Sequence, residues 1–131
     1  MNRSTRRELA FKLLYSIEVQ KNSDKEQIDM FFQENNIKDD KAQEYIIEVI
    51  NGINDNIEDI MNLILKNLKK DWSLERVSKI DLAILKLAIY EIQYKKIEFK
   101  IVINEAVELA KKYGEESSPN FINGLLASVV K

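Results

Sequence analysis

Between Ile80 and Tyr94 the apolar residues fall at Ile80, Leu82, Ala83, Ile84, Leu85, Leu87, Ala88, Ile89 and Ile92, so on a helix they point in every direction. Only Asp81, Lys86 and Glu91 carry charge there. A helix on a protein surface shows a single apolar stripe, so this pattern predicts a buried helix of about four turns, with the other helices as its walls. It is too short and too charged to span a bilayer.

The rest of the chain shows single stripes. Ser4 or Thr5 can cap a first helix running to about Lys21, with Ala10, Leu13, Leu14 and Ile17 facing the core. Beside that stripe, Arg3, Arg7, Phe11, Tyr15 and Val19 follow one another at i+4, basic at one end and apolar along the rest. Ser23 with Glu26 fits a capping box for a short helix whose Ile28, Phe31 and Phe32 face inward. From Asp39 or Asp40 to Leu68 the apolar positions keep one helical phase, predicting one long helix; Gly52 and the polar run Asn54 to Asn56 mark where it would kink or break. Ser73 can cap a single turn in DWSLER, and Ser78, three residues before Asp81, caps the buried helix. A sixth helix from about Lys100 stops at Gly114, suited to a C′ position, and Ser118 with Pro119 at N1 opens the last.

Composition narrows the class. With 131 residues, 45% hydrophobic and 32% charged, the chain is expected to fold as one globular domain over 1–131, and three Gly with one Pro favour long helices over a many-stranded fold. The expectation is an all-α protein of about seven helices. With no Cys and no His, disulfides, thiolate nucleophiles, the usual general base and the commonest metal ligands are missing. No phosphate-cradling glycine loop, nucleophile elbow or zinc spacing occurs, so no enzyme, cofactor or metal is expected. Lys12 breaks the apolar run after the N-terminal arginines and no cleavage site follows, so a signal peptide is not expected and the cytoplasm is the default.

Net charge is −2, so contact with nucleic acid would have to come from a local cluster. Arg3, Arg6 and Arg7 form one, at a helix N-terminus where cations oppose the macrodipole by roughly 0.3–1 kcal/mol each. They are either a solvated end or a set of phosphate contacts.

Arg7, Ala10, Leu14 and Tyr15, then Trp72 and Arg76, the ILKLAIYEI run from Ile84 to Ile92, INEAVELAKKYG from Ile103 to Gly114, and Ser118 with FINGLL from Phe121 to Leu126 together resemble the NusB transcription antitermination family. The match covers nearly the whole chain. The resemblance implies two packed helical bundles around the buried helix and a non-enzymatic role. Members bind the boxA element of ribosomal RNA leader transcripts together with NusE, a small-subunit ribosomal protein, and join RNA polymerase with other Nus factors. It further implies that Arg3, Arg6 and Arg7 meet RNA, while Lys69 and Lys70 are either RNA-facing or a solvated pair. Ser117, Ser118, Asn120 and Phe121 open the last helix, where a phosphate could dock on free N–H groups while the ring stacks on a base; plain packing of Phe121 is the other reading. For NusE the resemblance points to Tyr15, with Glu18 and Val19 on the same helix, and to Asp81; Tyr15 packed in a seam and Asp81 acting only as a cap remain open. Glu98 stands where many members have proline. Two alternatives compete: a helical adaptor or homodimer using the Phe11, Tyr15, Val19 row, and the RNA-binding domain joined to ribosomal RNA cytosine methyltransferases, which the length disfavours.

Overall fold

A computed structural model describes residues 1–22 and 24–131. Among them seven α-helices run in order, α1 (Arg3–Gln20), α2 (Lys25–Glu34), α3 (Asp40–Asp55), α4 (Ile57–Asn67), α5 (Lys79–Gln93), α6 (Phe99–Tyr113) and α7 (Ser118–Val129), with a 3-10 turn at Leu74–Arg76. No strand occurs among the described residues, so the all-α expectation holds. The chain divides into two compact units, Met1–Gly52 and Ile53–Lys131. No helix among the described residues is long and apolar enough to cross a membrane.

In the first unit the helix ends are set by short polar side chains. Asn2, not Ser4 or Thr5, caps α1, its Oδ1 accepting from the Thr5 N–H at 2.8 Å. The cap expected at Ser23 lies outside the described residues; Asp24 caps α2, accepting from the Gln27 N–H at 2.9 Å. At the other end of α2, Asn36 takes φ 55°, which asparagine tolerates better than most residues. This lets the Ile37 N–H return to the Phe32 carbonyl at 2.8 Å and the Asn36 N–H to the Gln33 carbonyl at 3.1 Å, a Schellman closure with Ile37 and Phe32 both buried.

The long helix expected from Asp40 to Leu68 is two helices, and the break falls at Asn56, not Gly52. Asn54, Asp55 and Asn56 are poor helix formers in a row, whereas a lone glycine weakens a helix by only about 1 kcal/mol and is tolerated. The apolar phase survives the break, with Ile46, Val49, Ile50, Ile53, Ile60 and Ile64 all buried.

The second unit is built around α5. α4, α6 and α7 each pack on it, and α7 also packs on α4 and α6. Ala83, Ile84, Leu85, Leu87, Ala88 and Ile89 are all inaccessible, as the all-round apolar pattern requires. Each large aliphatic side chain buried this way stabilises the fold by roughly 1.5–3 kcal/mol. Ser78 caps α5, its Oγ accepting from the Asp81 N–H at 3.1 Å. The loop after α6 departs from expectation. Gly114 is extended (φ −89°, ψ −169°), so no left-handed cap requires it. A Cβ there would instead lie 2.6 Å from Ser118 Oγ and 2.8 Å from the Ala110 carbonyl oxygen, so the glycine is needed for close approach. The N-cap of α7 is Ser117, one residue before the expected Ser118.

Candidate nucleic-acid and partner interface

In the first unit the basic cluster is not three equivalent cations. Arg3 is exposed at the start of α1. Arg6 is half-buried, its guanidinium carbon 5.9 Å from the centre of the Tyr45 ring, a cation–π distance. Its Nε is buried with no hydrogen-bond partner. Arg7, also expected to meet RNA, is only 3% exposed and offers the least surface of the three arginines. The reason is helical phase: Arg7 shares a face of α1 with Ala10, Phe11 and Leu14, all buried. The i+4 row accordingly splits. Its middle, Arg7 and Phe11, is core, whereas Tyr15 and Val19 are 38% and 47% exposed and Glu18 is half-buried. Tyr15 and Val19, one turn apart, give α1 an apolar patch on its outer side.

In the second unit Lys69 and Lys70 follow α4 and are both exposed. The chain then turns, the Trp72 N–H donating to the Lys69 carbonyl at 2.9 Å. This presents the Trp72 ring, 41% exposed, in a stack with Phe121 of α7 at 5.2 Å between centres and 27° between planes. Lys69, Trp72, Asn120 and Phe121 line one cavity of about 340 Å³. Thus three of the expected RNA residues converge, and Lys70 lies next in the chain. Trp72 was missing from the expected site; aromatic character close to two lysines is the signal that points to it. Ser117 is exposed at the N-cap of α7 and makes no side-chain cap bond.

Asp81 is not an exposed charge. It is 7% exposed at the start of α5, with Oδ1 buried and without a hydrogen-bond partner. Burial pushes its carboxyl pKa up; hydroxyls of Ser118 and Ser78 partly offset this, and the nearby Glu115 charge adds to it. Ser118 is itself buried and accepts from the Glu115 N–H at 3.0 Å, so Asp81 and Ser118 tie the starts of α5 and α7 together. An unfolded Asp81 would ionise near the ordinary 3.8, whereas folded it holds its proton to higher pH. Its contribution to stability is therefore greatest below 3.8 and is lost as pH rises through the raised folded value. Asp81→Asn, neutral throughout, should match the parent in strong acid and become relatively more stable towards neutrality. Thermal midpoints of both proteins from acid to neutral pH check this; a difference that stays constant, or reverses, contradicts it.

Among the described residues no group of three or more acidic, His or Cys side chains is placed to hold a metal. The arrangement consists of exposed cations, a stacked aromatic pair beside a cavity, and an apolar patch on α1.

The NusB family model matches residues 4–131. The transcription antitermination protein NusB of Acetivibrio thermocellus is 48% identical over 132 aligned positions, covering 100% of this chain and 90% of that protein. Among solved structures, Thermotoga maritima NusB superposes with a TM-score of 0.84 at 36% identity, covering 98% of this chain and 90% of that one. A structure of antitermination factors NusB and NusE in complex with dsRNA superposes with a TM-score of 0.85 at 30% identity, covering 98% and 97%. With a match from end to end in both sequence and fold, this chain belongs to the NusB family.

Proposed function

We propose that this protein is a transcription antitermination factor that binds boxA RNA of ribosomal RNA transcripts together with NusE and helps assemble the antitermination complex on RNA polymerase with other Nus factors. The observation that carries the reading is the full-length match to proteins of that name, one of which is solved with NusE and double-stranded RNA. The chain works as one RNA- and protein-binding domain over 1–131, in the cytoplasm, without a catalytic step of its own.

RNA is held by the cations Arg3 and Arg6 of the first unit and by Lys69 and Lys70 of the second, with Ser117, Asn120 and Phe121 at the start of α7. Phosphate contacts from so few side chains position RNA without specifying its sequence. NusE docks on Tyr15, Glu18 and Val19. Asp81 contributes to that complex by fixing the starts of α5 and α7, not as a charge facing the partner.

A titration of boxA-like RNA with this protein, with NusE, and with both tests the function, and tightest binding is expected for the pair. Tyr15→Ala should weaken NusE binding by about tenfold, the size of an ordinary aromatic contact at an interface. RNA binding by the free protein should not change. An unaltered NusE affinity would remove Tyr15 from the interface. The exposed Tyr15 and Val19 patch also fits self-association, in which case sedimentation would show a dimer that NusE does not dissociate.

A further inference from the structure

In the second unit the C-terminal ends of α5 and α7 meet the start of α6 around a shallow cavity of about 410 Å³. Its wall is largely aliphatic: Ile92, Ile97, Val129 and Val130 are each half-buried, and Phe99 is 41% exposed. Apolar side chains left open together, and not singly, mark a surface that another molecule covers. The cavity lies at the far end of α7 from the RNA-holding residues, Phe121 being eight residues before Val129 and so about 12 Å away along the helix. Lys96 also lines it, in the turn between α5 and α6, at φ 54°. Glycine adopts that left-handed conformation without strain and lysine does not, so the turn alone does not account for a lysine. Its exposed ammonium beside an apolar cavity does. Lys100, next to Phe99, and Lys131, next to Val130, are exposed as well, with Glu98 as the opposing anion. On a chain of net charge −2, residues 95–100 carry three lysines and one glutamate.

We propose that this cavity seats an apolar side chain of an acidic protein segment, whose carboxylates meet Lys96, Lys100 and Lys131, in the complex assembled on RNA polymerase. The inference rests on the proposed function and adds to it a protein contact separate from NusE. The chemistry of the wall selects a protein over RNA. Branched aliphatic side chains cover an aliphatic or aromatic side chain well, whereas an unpaired base is held by stacking on planar groups, and here Phe99 stands among isoleucines and valines. Charge selects an acidic segment over a second copy of this chain. A two-fold contact at this face would set its lysines against the same lysines of the other copy, a juxtaposition that costs binding energy. Carboxylates flanking the seated side chain meet cations instead.

The test uses the full-length protein with NusE, boxA-like RNA, RNA polymerase and the other Nus factors as purified components. Phe99→benzoylphenylalanine places a photo-reactive ring at the cavity, and irradiation of the assembled complex should link it to a protein segment in which an apolar residue is flanked by Asp or Glu. Phe99→Ala should weaken assembly of the ternary complex with NusE and RNA onto polymerase about tenfold, the size of losing one interface anchor, with NusE and RNA affinities unchanged. Ile101→Ala, at a residue of α6 that is exposed but outside the cavity wall, should leave assembly as it is. Lys96→Gly should weaken assembly about two- to fivefold at low salt and less at high salt, as for loss of a screened ion pair. Its melting temperature should hold or rise, because glycine relieves the left-handed turn, and this separates loss of the charge from damage to the fold. A link to RNA, to a second copy of this chain or to nothing overturns the docking site, and so does a Phe99→Ala protein that assembles like the parent. Failure of the parent protein to join polymerase even with NusE and RNA bound would remove the proposed function itself, a result distinguishable from the others because no variant is needed to see it.

Discussion

Leu87→Ala should lower the unfolding free energy by roughly 2–5 kcal/mol, the range for truncating a fully buried leucine when the surroundings close only partly over the void. Leu87 is inaccessible in α5, the helix on which α4, α6 and α7 all pack, so little around it is free to collapse inward. Domains are stable by about 5–15 kcal/mol in total, and a loss of this size shows as a fall in melting temperature of roughly 10 °C or more. Ile101→Ala provides the comparison. Ile101 is an aliphatic residue of α6 that remains exposed, and its truncation should change stability by no more than about 0.5 kcal/mol. Chemical denaturation followed by circular dichroism measures both. Equal losses at the two positions would mean that α5 is not the walled-in centre of its unit.

That α5 is buried was legible because the signal is local: an apolar residue at nearly every position around the circumference leaves no face for water. The caps at Ser78 and the glycine after α6 were legible for the same reason, although Gly114 turned out to serve close approach to Ser118 and not a left-handed turn. Periodicity reports phase and not continuity, so it could not show that the α3 ladder ends at Asn56; apolar residues on either side keep one helical spacing in the sequence.

The candidate site was legible as a set of residues and less so as a geometry. Arg7 was grouped with Arg3 and Arg6 by charge, while its position on the Ala10, Phe11, Leu14 face placed it in the core. Helical phase decides the position there: the arginine stem can pack on apolar neighbours, and a guanidinium taken out of water is tolerated where it finds polar partners. Asp81 shows the converse. Its place at the start of a helix suggested a surface charge, whereas it is buried with the hydroxyls of Ser118 and Ser78 beside it, and Ser118 comes from a distant part of the chain. The Trp72 and Phe121 stack joins residues distant in sequence, so no local pattern announces it.

Arg3→Gln, Lys69→Gln and Lys70→Gln combined should weaken RNA binding about 100-fold near 0.1 M salt, following the relation of about −0.7 in log–log salt slope per phosphate neutralised on single strands. On the RNA contacts proposed for Arg3, Arg6, Lys69 and Lys70, the parent protein should show a slope near −2.8. A fourfold rise in salt would then reduce its affinity about 50-fold. The triple variant keeps one such contact, so its slope should flatten to about −0.7 and the same rise in salt should matter only about threefold. An overall charge of −2 offers no general attraction to mask the loss. Uncharged glutamine is preferred to glutamate because repulsion would deepen the effect without counting contacts. NusE affinity should be unchanged, since Tyr15 and Val19 are untouched, and it serves as the check on folding. Log affinity measured against log salt for both proteins decides the matter. A variant that binds weakly with the parent's slope would show that these side chains do not neutralise phosphates, and the hold on RNA would then have to rest on the aromatic stack and the polar start of α7.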